Sequence, residues 1–238
     1  MNRILFEPSE VRDGIVEFDD ARAAHVLGVL HGEVGQTLKV GVLDGPIGTA
    51  VIESVDGAAV RARVELTGES LAPWVDLVLA PPRPRVMKRL LPQLASMGAG
   101  RIFLVGAKKV EKDFWGATLL KEENYRPLLV DGLMQAGTTA VPVLETRRNF
   151  RKFVAEELDA LLPSPRRIVA HPYGAGIAAA PADEAAAGRL TLAIGPEGGW
   201  TEDEVALLEA HGFRRYSLGA RILRTDTATI ALLARLQG

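Results

Sequence analysis

The sequence predicts an α/β protein in which a mainly parallel sheet follows a smaller all-β domain. Residues 1–70 are short runs rich in β-branched residues and broken by Gly, Asp and Pro, which is typical of a small barrel or sandwich. From Val75 onward, strand-like apolar runs alternate with helical stretches, the pattern of β-α units around a parallel sheet. The segment GESLAPW at 68–74 separates the two patterns, and we predict domains at 1–70 and 74–238.

The first domain is predicted to consist mainly of strands. The runs that indicate them are ILFEP, GIVEF, QTLKVGVL, GTAVIESV and AAVRARVEL. One helical segment, DDARAAHVLGVLHG, interrupts them and places Ala24, Leu27 and Leu30 on one face at a spacing near 3.6 residues.

The second domain is predicted to contain strands and helices in alternation. Pro92 falls inside the first helix, where it is expected to kink the helix or to mark its early turns. The Ala-rich segment 178–188 fits either a helix or a loose connector. Strands are predicted at 75–80, 101–105, 141–146, 167–171, 190–195 and 214–219, and helices near 86–98, 119–136, 150–162, 201–211 and 226–237.

Composition excludes several kinds of chemistry. The chain has no cysteine, so disulfides, thiolate nucleophiles and Cys-based zinc sites are ruled out. The four histidines are spread over different elements and predict no metal site, and no G-x-S-x-G elbow suggests a serine hydrolase. No apolar run is long enough for a membrane span, and the start of the chain does not resemble a signal peptide. We therefore expect a cytoplasmic protein without membrane or metal partners.

Charge is distributed unevenly along the chain. Residues 1–70 hold six Lys or Arg against twelve Asp or Glu, a balance of −6, whereas residues 81–112 hold eight against one, a balance of +7. A compact basic block suits contact with the phosphates of RNA, although a solvated helix face has the same composition.

Three loops are candidates for a ligand site, because ligands of parallel sheets bind outside the carboxyl ends of the strands. They are AHPYG, GPEGGW and LGARILRTDTA, which follow the strands predicted at 167–171, 190–195 and 214–219. None carries the glycine pattern of a Rossmann or P-loop nucleotide site.

The loop GPEGGWTEDEV contains a complete signal for a helix start. Thr201 is predicted as the N-cap with Glu204 as its capping-box partner, and Trp200 with Val205 fits a hydrophobic staple. The preceding segment 195–199 is poor in side chains, which fits either a structural turn or a loop that lets a ligand approach the backbone.

The loop LGARILRTDTA places two arginines, Arg221 and Arg224, just before a helix. Thr225 is predicted as the N-cap and Asp226 complements the helix dipole, so the segment can be read as a simple cap. Arginines beside unpaired helix N–H groups also form an anion-attracting corner, suited to an RNA phosphate or a carboxylate.

The motifs IGPEGGWTEDEV and LGARILRTDTA, with AHP upstream, resemble those of the RsmE family of SPOUT methyltransferases, and the likeness extends over the whole chain. The resemblance implies a PUA-like β-barrel ahead of an α/β domain with a trefoil knot. It also implies S-adenosylmethionine as cofactor, a homodimer, and methylation of N3 of a uridine in 16S rRNA, free or in the small ribosomal subunit. Alternatives left open are another rRNA or tRNA target, or a non-catalytic RNA-binding or ribosome-assembly protein of the same fold.

Cofactor-binding residues follow from the matched motifs. Backbone groups of Leu218, Ile222 and Leu223 are expected to hold the adenine, while Gly195 and Gly198 leave room for the sugar and the methionine part. The full predicted set is Ala170, His171, Pro172, Ile194, Gly195, Pro196, Glu197, Gly198, Gly199, Leu218, Gly219, Ile222, Leu223, Thr225 and Ala228.

Catalytic and RNA-binding residues are assigned from the chemistry that the reaction requires. Uridine N3 carries a proton at neutral pH, so its methylation needs a base or a cation that stabilises the developing anion. We expect Arg224 to supply the cation, and Glu197 or Asp226 to position ligands or accept a proton. The residues predicted to contact RNA are Arg83, Arg85, Lys88, Arg89, Lys108, Lys109 and Arg221.

The resemblance has local departures. Gly28 and His31 stand where family members often have arginines in the first domain. In the segment MQAGT at 134–138, which begins with Met134 and ends with Thr138, only Gln135 survives of the family's E-Q-x-x-R pattern. The departures concern positions linked to RNA binding and leave the cofactor motifs intact.

Overall fold

The computed structural model describes residues 2–175 and 188–237, which form two compact units. The first unit comprises the chain up to Ala72 together with Val130–Val141, and the second comprises Pro73–Leu129 and Pro142 onward. The sequence pattern instead predicts residues 130–141 as part of the second domain. None of the described helices is long and apolar enough to cross a membrane.

In the first unit, a five-stranded sheet curls into a half-barrel with the strand order β1-β3-β4-β5-β2. Strands β1 and β3 are parallel and the remaining pairs are antiparallel. The predicted barrel is thus open between β1 and β2 within the described residues. The elements are β1 (Ile4–Phe6), β2 (Ile15–Phe18), α1 (Ala21–Gly28), β3 (Thr37–Val42), β4 (Ile47–Asp56) and β5 (Ala59–Gly68).

Helix α1 packs against this sheet with a face that differs from the predicted one. Ala23 and Val26 are fully buried in the core of the unit, whereas Leu30 is 41% exposed. Asp20 caps the helix by accepting a hydrogen bond from the backbone N–H of Arg22. The helix ends at Gly28, so Leu30 lies beyond it and the predicted triad of Ala24, Leu27 and Leu30 does not form the buried face.

In the second unit, six parallel strands form one sheet in the order β11-β9-β10-β6-β7-β8. The predicted parallel α/β domain is confirmed. The strands are β6 (Val75–Leu79), β7 (Ala99–Val105), β8 (Val143–Arg147), β9 (Arg167–Ala175), β10 (Leu190–Ile194) and β11 (Arg214–Tyr216).

Helices of the second unit lie close to the predicted segments, and α3 continues into the first unit. Pro92 lies inside α2, which begins with a proline at its first turn and continues to Ser96. The helices are α2 (Pro84–Ser96), α3 (Glu122–Ala136), α4 (Phe150–Lys152), a π-helical turn (Phe153–Glu157), α5 (Leu158–Leu161), α6 (Glu202–Ala210) and α7 (Thr225–Leu236).

Strand β9 is longer than predicted. The segment AHPYG is predicted to be a loop, but β9 continues through it to Ala175, where Tyr216 of β11 pairs with the strand. The ladder shifts register between Arg215 and Tyr216, and Tyr216 pairs with Ala175. The Ala-rich segment 178–188 lies outside the described residues except for Gly188.

Candidate functional site

The loop between β10 and α6 is a tight turn followed by a capped helix. The backbone N–H of Gly199 donates to the carbonyl of Pro196 at 2.7 Å, and Gly199 has a φ of +70°, a conformation that favours glycine. The capping box of Thr201 and Glu204 is present as predicted. Trp200, predicted to staple the helix start, is buried in one core cluster with Val205.

Glu204 also anchors a second loop, the one that follows β7. One carboxylate oxygen accepts hydrogen bonds from the backbone N–H of Thr201 at 2.8 Å and from its hydroxyl at 3.1 Å. The other accepts the backbone N–H of Lys108 at 2.7 Å. Glu204 is almost fully buried, and its hydrogen bonds connect the β10–α6 loop to the β7–α3 loop.

Gly195 and Gly198 lie so close to other residues that a side chain at either position would make tight contacts. A Cβ on Gly195 would lie 3.0 Å from the backbone nitrogen of Trp200 and 3.1 Å from its ring. A Cβ on Gly198 would lie 3.0 Å from Cδ of Lys109, whose ammonium donates to the Gly198 carbonyl at 2.7 Å. Packing against the Trp200 backbone therefore disfavours a side chain at Gly195, whereas at Gly198 the flexible Lys109 side chain would have to move.

Helix α7 begins one residue earlier than predicted. The N-cap is Arg224, in an extended conformation, and it makes no side-chain capping bond. Thr225, predicted as the cap, is instead the first helical residue, and its hydroxyl reaches the carbonyl of Gly195 at 3.4 Å. Thr225 therefore connects the start of α7 to the β10–α6 loop, while Asp226 lies in the first turn as predicted.

His171 contacts a backbone N–H group on one side and faces a carboxylate on the other. Its Nδ1 accepts the backbone N–H of Tyr173 at 3.2 Å, and its Nε2 lies 3.7 Å from a carboxylate oxygen of Glu202. Burial lowers the pKa of His171, and the nearby Arg215 guanidinium lowers it further. The imidazole is therefore neutral at neutral pH, with Nδ1 as an acceptor.

A cavity of about 430 Å³ lies among residues 170–173 of β9, the carboxyl ends of β10 and β11, and the start of α7. All the residues predicted to bind the cofactor line it, although they come from three separate segments of the chain. Its size is that of a small-molecule site. Lining residues that were not assigned to the cofactor are Tyr173, Trp200, Glu202, Tyr216, Ser217, Arg221 and Leu232.

Some of these additional residues carry recognisable signals in the sequence. Thr225, Ala228 and Leu232 lie on one face of α7 by their spacing. Since Thr225 and Ala228 are predicted to line the cavity, the same spacing predicts that Leu232 lines it too. The Ser217 hydroxyl donates to the carbonyl of Pro172 at 3.0 Å, a contact between the ends of β9 and β11 that depends on sheet pairing. Sequence spacing contains no signal for that contact.

The three predicted catalytic residues occupy different positions. Glu197 lines the cavity and is exposed. Arg224 is exposed at the N-terminus of α7, between the cavity-lining Leu223 and Thr225. Asp226 does not line the cavity, and its carboxylate lies 3.7 Å from the guanidinium of Arg89.

All the residues predicted to contact RNA are exposed, and several adjoin the cavity loops. Arg221 lines the cavity, Lys109 contacts Gly198, and Arg89 on α2 pairs with Asp226 on α7. Arg83 pairs with Glu111 at 2.9 Å, and the fields of Glu111 and Glu197 raise the pKa of its guanidinium. Positive charge thus borders the β10–α6 loop and the start of α7.

The cavity fits S-adenosylmethionine by size and by charge. Its lining combines apolar side chains such as Ile194 and Leu218 with glycine backbone and two carboxylates, Glu197 and Glu202. Carboxylates suit a ligand that carries cationic sulfonium and ammonium groups. Among the residues that the structure describes, no cluster of three or more His, Asp or Glu is suited to hold a metal.

Known proteins are similar to this chain in both sequence and fold. The RNA methyltransferase domain family model matches residues 69–237. The chain is 34% identical to Ribosomal RNA small subunit methyltransferase E of Treponema pallidum, with 98% of this chain and 90% of that protein covered. It is 27% identical to Ribosomal RNA small subunit methyltransferase E 1 of Borreliella burgdorferi over 97% of this chain and 95% of that one.

Two solved structures superpose over nearly the whole chain. A methyltransferase from Legionella pneumophila, in complex with the cofactor SAM, is 27% identical with a TM-score of 0.75, covering 99% of this chain and 96% of that one. The methyltransferase E of Neisseria gonorrhoeae bound to S-adenosyl methionine has a TM-score of 0.77 at 22% identity, over 100% and 97%, and shows likeness of fold. The full-length match to methyltransferase E sequences, together with the domain match, shows that this chain belongs to the RsmE family of SPOUT RNA methyltransferases.

Proposed function

We propose that this protein uses S-adenosylmethionine to methylate N3 of a uridine in 16S rRNA. The observation that carries the proposal is the convergence of three separate segments, at β9, β10 and α7, on one cavity bordered by exposed basic residues. The named activity of the Treponema pallidum relative, aligned over 98% of this chain, supports small-subunit rRNA as the substrate.

The cavity is proposed to bind the cofactor and to orient it. When bound, S-adenosylmethionine supplies a methyl group on a sulfonium, which is transferred by an in-line displacement. The backbone of Leu218, Ile222 and Leu223 is proposed to bind the adenine, as the family motif implies. Glu197 is proposed to complement the positive charge of the ligand, with Glu202, which also pairs with Arg215 at 3.2 Å, beside it.

Arg224 is proposed to stabilise the anion that develops on the uracil oxygens. Its guanidinium has no ion pair or hydrogen bond among the residues that the structure describes, so it is available to a ligand at the mouth of the cavity. Glu197 is better placed than Asp226 to accept a proton, because Glu197 lines the cavity and Asp226 does not. Asp226 is proposed as a positioning residue that holds Arg89 near the start of α7.

The exposed basic residues are proposed to contact RNA phosphates. Helix α2 presents Arg85, Lys88 and Arg89 to solvent while its other face is buried. Lys109 and Arg221 extend the positive surface to the cavity itself. Basic residues in these positions would bring the phosphates of a target strand near the cavity.

A cytoplasmic homodimer is the proposed assembly. Tyr173 and Ile222 line the cavity and are each 80% exposed, and Leu223 beside them is 38% exposed. Apolar side chains at a cavity mouth are costly to leave in water, so a second copy that covers them would complete the site. The family resemblance implies the same arrangement.

Calorimetry combined with methyl transfer tests the proposed function. The purified protein should bind S-adenosylmethionine and transfer a labelled methyl group to unmodified 16S rRNA or small subunits, at a single uridine identified by mass spectrometry. Cofactor binding with transfer to another RNA would assign a different target. Absence of cofactor binding would leave only a non-catalytic RNA-binding role.

A further inference from the structure

Trp115 and Arg148 form a layered cluster at the carboxyl edge of the parallel sheet, outside the cavity. Phe114 is 2% exposed, and its ring meets that of Trp115 edge to face at 5.4 Å. The guanidinium carbon of Arg148 lies 5.8 Å from the centroid of the Trp115 ring. A buried ring thus supports a half-buried indole, which supports an exposed arginine.

The backbone fixes Arg148 in this place. Its Nη2 donates to the carbonyl of Trp115 at 3.2 Å. Gly106, just after β7, lies so close to Arg148 that a Cβ there would be 2.0 Å from the Arg148 carbonyl oxygen. The β7–α3 loop therefore contacts Arg148 twice, since the Trp115 carbonyl binds its guanidinium and Gly106 lies against its backbone.

Arg148 differs from the arginines around it in having no carboxylate partner among the described residues. Arg147 pairs with Glu145 at 2.8 Å and with Glu157 at 2.7 Å. Arg151 lies 3.4 Å from Asp203. An exposed guanidinium that is held in place by an aromatic ring, yet not neutralised, retains its full charge and an open face for a ligand.

The cluster is linked to the proposed methyl-transfer site. Phe150, two residues after Arg148, packs its ring against that of the cavity-lining Trp200 at 5.1 Å. The loop that carries Trp115 also carries Lys109, whose ammonium binds the carbonyl of Gly198 in the cavity wall. An RNA strand that delivers a uridine to the cavity can therefore reach the cluster along one face of the second unit.

We propose that Arg148, supported by Trp115, stacks against an unpaired base of the RNA strand that flanks the target uridine. The inference rests on the proposed function, which supplies RNA as the ligand. Single-stranded RNA is recognised largely by stacking of its bases on aromatic rings and on arginine guanidinium planes. This cluster offers such a plane, and none of its residues belongs to the set predicted from the sequence to contact RNA.

Binding of a short, fluorescently labelled, uridine-rich single-stranded RNA tests the inference by anisotropy. Arg148→Ala should weaken binding by about tenfold, the loss typical of one stacked base. Arg148→Lys keeps the charge but not the planar group, and should remain weakened while the salt dependence of binding stays as in the wild type. Arg151→Ala, which removes the same charge from an exposed ion-paired arginine nearby, should stay within about twofold of the wild type.

Two outcomes would overturn the inference: wild-type affinity in Arg148→Ala, or full recovery in Arg148→Lys, which would indicate a phosphate contact instead of stacking. A Trp115→Phe variant, which keeps a supporting ring, should bind RNA nearly as the wild type does. Methyl transfer is measured on the same preparations. If the wild type transfers methyl groups and RNA binding does not depend on Arg148, only the stacking inference is rejected. If RNA binding depends on Arg148 but the wild type transfers no methyl group, the proposed function is rejected.

Discussion

Arg224 stands at the point where helix α7 begins, exposed and without a carboxylate partner among the described residues. Replacing it by alanine removes the cation proposed to stabilise the uracil anion but leaves the lining of the cavity intact. We expect methyl transfer to fall by about 100-fold or more while the affinity for S-adenosylmethionine changes little. Single-turnover kinetics and calorimetry measure the two effects separately.

Arg235→Ala is the matched control, because Arg235 is exposed at the opposite end of the same helix. It should leave transfer unchanged. Full activity in Arg224→Ala would reject the role assigned to this arginine.

His171 is expected to make the proposed cofactor binding sensitive to acid. Because burial lowers the pKa of His171, the unfolded chain binds this proton more tightly than the folded protein does. The stabilisation that neutral His171 provides is therefore complete above about pH 6.5 and is lost as the pH falls through the folded pKa. Protonation of Nδ1 would also break the hydrogen bond from the Tyr173 N–H.

We therefore expect the affinity for S-adenosylmethionine to decrease as the pH falls below about 6.5. The protonated imidazole would also repel a cationic ligand in the cavity. Calorimetry across this range should show the decrease in the wild type and a flatter profile in His171→Asn. Identical pH profiles for the two proteins would contradict the assignment.

The β10–α6 loop depends on Gly195 being without a side chain. A Cβ at Gly195 would press on the backbone of Trp200 at 3.0 Å, so Gly195→Ala should destabilise the protein by about 1–3 kcal/mol and weaken cofactor binding. Gly28→Ala, at a helical position with nothing within 4 Å, should instead be neutral or slightly stabilising. Thermal unfolding of both variants measures the difference in stability. Equal unfolding midpoints for the two variants would contradict the role assigned to Gly195.

Glu204 holds two loops with one buried carboxylate. Glu204→Ala would leave the backbone N–H groups of Thr201 and Lys108 without their acceptor, and we expect a loss of about 2–4 kcal/mol. Asp203→Ala, one residue earlier and exposed, removes a surface ion pair with Arg151 and one acidic group from the first turn of α6, and should cost less than about 1 kcal/mol. Denaturant titration distinguishes the two, and equal effects would contradict the anchoring role.

Local sequence signals determined some elements and not others. The capping box at Thr201 was predictable, because its residues and spacing act within one helical turn. The continuation of β9 through Pro172 was not, because pairing with β11 overrides the turn-like sequence. The start of α7 was misplaced by one residue, since a helix boundary depends on backbone conformation that side-chain preferences leave ambiguous.

The two-unit organisation followed from the change in hydrophobic pattern near residue 70, but the place of residues 130–141 did not. That segment continues helix α3, and only tertiary contacts assign it to the first unit. The trefoil knot stays a prediction from the family resemblance, because local pattern rules describe unknotted chains. The Trp115 and Arg148 cluster joins side chains far apart in the sequence, so no spacing indicated it.

Dimer formation is expected to be required for activity. Ile222→Asp places a charge on an apolar side chain that is 80% exposed at the cavity mouth, and should produce a monomer that binds the cofactor poorly. Leu71→Asp changes a residue of similar exposure, 77%, that does not line the cavity, and should leave the dimer intact. Sedimentation velocity measures both, and a monomeric wild type with full activity would contradict the proposed assembly.

The most direct test of the proposed function is mass spectrometry of small-subunit rRNA from a strain that lacks this protein. We expect one N3-methyluridine of 16S rRNA to be missing, and to return when the wild-type protein is supplied but not when Arg224→Ala is supplied. An rRNA modification pattern unchanged by the deletion would contradict the proposed function.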